Sequence, residues 1–186
     1  MDANPKSGVT IRQAKSGDEY ALSLLGATTF LETYAELLPG PDLVQFTQTK
    51  HSPEHYAAWL ADPAITVWLA ESPTKCPVGY LVLTPATLPI GAPDPRDLEI
   101  QRIYVMARNH RTGLGHRLMN LALSRAASSE ANRVVLGVHN DNVRALAFYR
   151  RQGFDVIDGR KFQVGETLCC DSVLARAIGV APRDQI

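Results

Sequence analysis

The residues with the most chemical potential lie in one turn. Arg108-Asn109-His110-Arg111-Thr112-Gly113-Leu114-Gly115-His116-Arg117-Leu118 joins a β-prone run to a helical pattern, with two glycines, a hydroxyl and a cluster of basic side chains. The unpaired N–H groups and positive dipole end of a helix N-terminus can hold phosphate, and glycines let a ligand approach the backbone. A P-loop needs Lys directly after its second glycine, and none stands here. A dinucleotide fingerprint needs a small residue where Leu118 stands, and an acidic partner about 20 residues on. Both patterns fail, and by itself the turn is equally a strand–helix connection without ligand. Downstream, Asn142, Ala145 and Tyr149 fall on one helical face at i, i+3 and i+7, and Gly153 stands where a helix C-terminus favours a left-handed residue.

Other reactive side chains are less organised. Cys76, Cys169 and Cys170 form no CxxC pair and no ligand set with histidine, so no metal is expected and they read as small buried hydrophobes in a reducing compartment. His51, His55, His116 and His139 have no partner at a telling spacing, although His139-Asn140-Asp141 ends a strand beside the turn. Trp59 and Trp68 read as core. Phe30, Thr33 and Tyr34 are equally helix packing or pocket lining.

These residues need a scaffold, and the length of 186 residues allows one domain. Nineteen Lys and Arg balance nineteen Asp and Glu, which argues against a nucleic-acid partner held by bulk charge. No apolar run reaches the ~18 residues of a membrane span, and the N-terminus lacks a signal-like stretch, so a soluble cytoplasmic protein is expected. Val9–Arg12 is β-prone. Tyr20, Leu24, Thr28, Leu31, Ala35 and Leu38 recur at helical spacing and predict an amphipathic helix over 18–36, stopped by Pro39-Gly40-Pro41. Shorter helices open at Asp42 and at Ser52-Pro53-Glu54. Ile65–Ala70 and Val78–Thr84 read as a hairpin, Pro85–Asp97 as an irregular proline-rich loop, and Leu98–Val105 as a strong strand. A helix over 112–128, a strand over 134–138, a helix over 142–152 and strands from Phe154 and from Leu168 follow. Strand 98–105, its helix and strand 134–138 form a parallel crossover in a mixed α/β sheet.

Together the two motifs resemble the GNAT superfamily of acyl-CoA N-acyltransferases. The spacing from Val105 to Gly113 and Gly115 is similar to that family's Arg/Gln-x-x-Gly-x-Gly/Ala turn, with His110 in place of the usual Arg or Gln. Asn142-Val143-Arg144-Ala145-Leu146-Ala147-Phe148-Tyr149-Arg150-Arg151-Gln152-Gly153-Phe154 is similar to its Asn-x-x-Ala-x-x-Phe-Tyr-x-x-x-Gly-Phe segment. The likeness is strongest over 97–176, while Phe30-Leu31-Glu32-Thr33-Tyr34 resembles a bacterial branch that includes polyamine acetyltransferases. The resemblance implies a mostly antiparallel sheet of six to seven strands flanked by helices, with a parallel, splayed central pair. It also implies one N-acetyltransferase domain over 1–178, followed by a loose tail at 179–186.

The implied cosubstrate is acetyl-CoA, without a metal. Its pantetheine arm would pair with the backbone of Ile103, Tyr104 and Val105 like an added strand. Its pyrophosphate would meet His110, Arg111, Thr112, Gly113, Leu114, Gly115 and His116, and Asn142 would reach the arm. Acetyl transfer needs a neutral amine, whose conjugate acid has a pKa of about 10, so a base must take its proton, and the departing thiolate needs an acid. By likeness to the family, Glu99 is the candidate base and Tyr149 the candidate acid. The expected function is acetyl transfer to a primary amine, small-molecule or peptidyl, by direct attack. The alternative from a different class is a catalytically silent acyl-CoA sensor or scaffold. A homodimer is compatible with either, and neither calls for nucleic acid or membrane.

Overall fold

The computed structural model describes residues 8–89 and 94–179. Residues 90–93 of the proline-rich loop, the first seven residues and residues 180–186 of the expected tail lie outside the described residues. In chain order the elements are β1 (Thr10–Gln13), α1 (Glu19–Tyr34), α2 (Gly40–Lys50), α3 (Pro53–Ala61), β2 (Thr66–Glu71), β3 (Pro77–Pro85) and β4 (Leu98–Val105). A single 3₁₀ turn then leads to α4 (Leu114–Ser128), β5 (Arg133–His139), α5 (Val143–Arg151), β6 (Asp155–Val164) and β7 (Thr167–Ala177).

Among the described residues seven strands form one sheet in the order β1-β2-β3-β4-β5-β7-β6. Every neighbouring pair is antiparallel except β4 and β5, as the crossover requires. Strand alternation divides the core between two faces. Leu81, Leu83 and Ile100 pack with Leu114, Leu118, Met119 and Ala122 of α4. Tyr80 and Val82 pack oppositely, with Leu22 and Leu25 of α1 and Tyr56 of α3.

Local chemistry fixes where the helices begin. The Ser52 side chain accepts from the His55 N–H and Pro53 occupies the first turn, so α3 starts where the sequence indicates. Asn142 caps α5 by accepting from the Ala145 N–H at 3.1 Å. Asp18, in front of α1, is committed elsewhere. Its carboxylate pairs with Arg12 at 2.7 Å and accepts from the Lys15 N–H, fastening β1 to the entry of α1.

Two expectations fail. The face of α1 traced by Tyr20, Leu24 and Leu31 is the outer one, with Tyr20 72% and Leu24 67% exposed. The buried set is Leu22, Leu25, Gly26, Thr29 and Phe30, because Leu22 and Leu25 pack on β2, β3 and Tyr56 while Gly26 leaves room for the Tyr56 hydroxyl and the His51 ring. Of the cysteines, Cys169 is buried, but Cys76 and Cys170 are exposed, since Cys76 falls in the β2–β3 connection and Cys170 on the outer side of β7. No helix among the described residues is long and apolar enough to cross a membrane.

Candidate active site

The site begins where the sheet opens. β4 and β5 pair only at Leu98↔Val134 and Glu99↔Val135, although both strands run on for several residues. Past those pairs the strands part, leaving backbone N–H and C=O groups of β4 without a ladder partner on that side. Such groups require another partner, and an extended amide-bearing ligand can supply one.

On one face of this opening stands the N-terminus of α4. Arg111 and Gly113 both have positive φ, 62° and 83°, on either side of Thr112, whose hydroxyl donates to the Asn109 carbonyl at 2.7 Å. Gly113 is the residue before the helix, in a left-handed conformation that side chains disfavour. Successive N–H groups in a turn of alternating hand form an anion-binding concavity, reinforced here by the helix dipole. The His110 side chain turns away from that concavity. Its Nε2 donates to the Val105 carbonyl at 2.7 Å and thereby closes the end of β4, while burial first, and Arg144 second, lower its pKa. His116 is also engaged elsewhere. Its Nδ1 donates to Gln152 and its Nε2 accepts from Asn120, joining α4 to the end of α5. Leu114 is buried beneath α4, so it contributes backbone alone to the turn.

On the other face lies a cavity of about 260 Å³, lined by residues of α1, α2, α3, β4, β5, β6 and β7. A bulge in β4 shapes its wall. Val82 pairs with Arg102 but Leu83 pairs with Ile100, so Gln101 is the extra residue, and both Gln101 and Arg102 face the cavity. Arg102 donates from Nη1 to the Tyr56 hydroxyl at 2.7 Å and from Nη2 to the Lys50 carbonyl, and its guanidinium lies 4.6 Å from the Trp59 ring centre. Opposite, Arg160 pairs with Asp171 at 3.1 Å and lies over Phe162. Gly137 makes that position available, because a Cβ there would come within 2.6 Å of the Arg160 Nη2. Phe30 and Phe46 stack with ring centres 4.7 Å apart, and Tyr34 and His139 meet edge to face. Burial pushes the pKa of His51 down to about 2 and that of His55 to about 4, each helped by Arg102. Both rings are neutral at ordinary pH.

The tyrosines meet at the opening. Tyr34 hydrogen-bonds the Tyr104 hydroxyl and contacts Asn142, and burial raises its pKa to about 12. Tyr149 is buried beside them, and burial, with Tyr104 adding a smaller contribution, raises its phenol above the ordinary value. Tyr104, Asn142 and Tyr149 are thus gathered at one place. Glu99 stands apart from the cavity wall. It is 3% exposed, and its Oε2 accepts from the Thr87 N–H at 2.8 Å, the Thr87 hydroxyl at 3.1 Å and the Leu88 N–H at 3.2 Å. Gln101 donates to the same Thr87 hydroxyl, linking the carboxylate to the cavity edge, and Oε1 has no partner among the described residues.

Phe30, Tyr34 and His139 line the cavity, whereas the Thr33 hydroxyl turns back to the Thr29 carbonyl. Trp68 is core, but Trp59 forms part of the wall. Lys50, His51, His55, Arg102, Arg160 and Asp171 were not singled out as a group by their spacing. They come from five separate segments, and no local pattern joins them. Among the described residues no group of His, Cys, Asp and Glu could hold a metal ion.

Comparisons with known proteins place this geometry. A model described as the Acetyltransferase (GNAT) family matches residues 30–154. An uncharacterized N-acetyltransferase of Mycobacterium tuberculosis (strain ATCC 25618 / H37Rv) is 30% identical over 161 residues, 87% of this chain and 98% of that protein. One encoded in the pepI 3' region of Lactobacillus delbrueckii subsp. lactis is 24% identical over 92% of this chain and 99% of its own length. Among solved structures, the PaiA N-acetyltransferase from Thermoplasma acidophilum in complex with coenzyme A has a TM-score of 0.75, covering 91% of this chain and 99% of that one. At 18% identity that likeness is one of fold.

Proposed function

The chain belongs to the acetyltransferase (GNAT) family and is an N-acetyltransferase, and from that premise we propose that it carries acetyl from acetyl-CoA to a primary amine by direct attack. The observation that supports this reading is the parting of β4 and β5, with the α4 turn on one face and the cavity on the other. The pantetheine arm lies along Ile103, Tyr104 and Val105, and the pyrophosphate sits on the backbone N–H groups from Arg111 to His116. Because His110 braces Val105, phosphate binding falls to backbone and to flanking arginines.

The amine nitrogen enters from the cavity, bonds to the thioester carbonyl carbon, and the carbon–sulfur bond breaks. Tyr149, whose phenol is protonated at neutral pH, gives its proton to the departing thiolate. The proton lost by the amine passes through water to the unengaged Oε1 of Glu99, whose Oε2 is held by three donors. Positioning both substrates across the opening supplies much of the rate, up to roughly 7–11 kcal/mol in ideal cases.

Incubation with acetyl-CoA and a panel of amines, following free thiol, tests the reading. Thiol should appear in step with acetylated amine. Tight CoA binding without amine-dependent thiol release would instead describe a silent acyl-CoA-binding module.

A further inference from the structure

The cavity is electrostatically lopsided. Among the described residues, Lys50, Arg102 and Arg160 line it against a single carboxylate, Asp171, which is already paired with Arg160. Neither Lys50 nor Arg102 has an ion-pair partner among the described residues. A half-buried guanidinium without an anion is an expensive arrangement unless a ligand completes it.

Arg102 is built to receive such a ligand. Its Nη1 and Nη2 are fixed by the Tyr56 hydroxyl and the Lys50 carbonyl, and its plane lies against Trp59, so the fork cannot turn freely. Its Nε–H donates to no described residue, although guanidinium edges match carboxylates well. Nearby, Arg102 Nη1 approaches His51 Nδ1 at 3.3 Å. The same Nδ1 lies 3.0 Å from the Tyr56 hydroxyl, so Arg102, His51 and Tyr56 form one buried polar cluster on the cavity wall. The other ring nitrogen, Nε2, is buried with no partner among the described residues. The remaining wall is aromatic, from Phe30, Phe46 and Phe162. At about 260 Å³ the space suits a small molecule.

We propose that the acceptor is a small amino acid-like molecule, a primary amine that also bears a carboxylate, with the carboxylate on Arg102 and Lys50 and an apolar side chain against the aromatic wall. This rests on the acetyl-transfer reading for its biological sense, but it concerns binding and is testable without turnover. Polyamines meet the wrong charge here, and a peptide N-terminus has no carboxylate at the required place.

The probes are N-acetylphenylalanine and N-acetylphenylalaninamide, the same shape with and without the charge. They are titrated calorimetrically into the full chain in the presence of CoA, beside acetylation rates for phenylalanine, phenylalaninamide, 2-phenylethylamine and spermidine. The acid should bind about 10- to 100-fold more tightly than the amide, the range expected for charge-assisted hydrogen bonds. That ratio should fall toward unity in Arg102→Gln. Should that variant fail to fold, Lys50→Gln, at an exposed position, should still lower the ratio about threefold. Equal binding of acid and amide, or a preference for spermidine, overturns the proposal and leaves acetyl transfer standing. Preferential binding of the acid with no acetylation of any amine does the reverse: it upholds the carboxylate site and overturns the transfer reading.

Discussion

The two sides of the opening are built in different ways. The α4 side is a backbone site, made by two residues of left-handed conformation at a helix N-terminus and by the free edge of β4. The cavity side is a side-chain site, made by arginines, histidines and aromatic rings from α1, α2, α3, β4, β5 and β6. A backbone site needs its glycine at a fixed distance from its strand, so it leaves a spacing in the sequence. A side-chain site needs only that suitable groups converge, and it leaves none. The first can be shared by proteins with different acceptors, while the second is free to change with the acceptor.

If this contrast holds, substitutions on the two sides should damage different steps. The largest effect is expected for Tyr149→Phe at the junction. Losing the acid should lower kcat by about 10²–10⁴-fold, and raising the pH should aggravate the defect. Burial keeps the wild-type phenol protonated past its ordinary range, so the wild-type rate should not fall from Tyr149 ionisation anywhere in the neutral region. A pH–rate profile checks both statements.

Glu99→Gln should cost a comparable factor at neutral pH, about 10²–10⁴-fold, but recover toward the amine's own pKa, where free amine needs no base. A flat, unimpaired profile would move the base elsewhere, with His139 the next candidate on the cavity wall.

Gly137→Ala is a cavity-side change with a smaller expected effect. The added methyl would displace the Arg160 guanidinium from the floor. The acceptor KM should rise while the CoA dissociation constant, read by calorimetry, stays the same. Parallel loss of both would erase the distinction between the sides.

Smaller effects concern stability. Ser52→Ala removes the α3 cap and should cost about 1 kcal/mol in chemical denaturation. His51 and His55 hold folded-state pKa values of about 2 and 4 against an ordinary 6.5. The unfolded chain therefore binds protons more readily than the folded one below pH 6.5. Their contribution is complete above that value and is lost progressively as pH falls toward 4 and below. Thermal melts should show this, and His55→Gln should flatten part of the acid limb.

Much of the architecture was legible for the same reason as the backbone site. The bounds Leu98–Val105 follow from an apolar run between a proline-rich loop and a basic turn, and the Ser52-Pro53 start of α3 follows from cap chemistry. The face of α1 was not legible. Tyr20, Leu24 and Leu31 make a convincing apolar row, whereas the true buried face includes Gly26 and Thr29, which carry little hydrophobic signal. The bulge that turns both Gln101 and Arg102 toward the cavity leaves no mark in the sequence either, because register is decided by the partner strand. Tyr149 and Asn142 could be found from their motif. Arg102 and Arg160 required the fold.

The most direct test of the central claim, that cofactor binding rests on the backbone at the start of α4, is a calorimetric titration of CoA into the wild-type chain and Gly113→Val. Valine disfavours the left-handed conformation that Gly113 adopts and adds a branched side chain to the turn proposed to receive the phosphates. The account predicts a loss of CoA affinity of at least about tenfold with the fold preserved. Unchanged affinity in a folded Gly113→Val variant would contradict it.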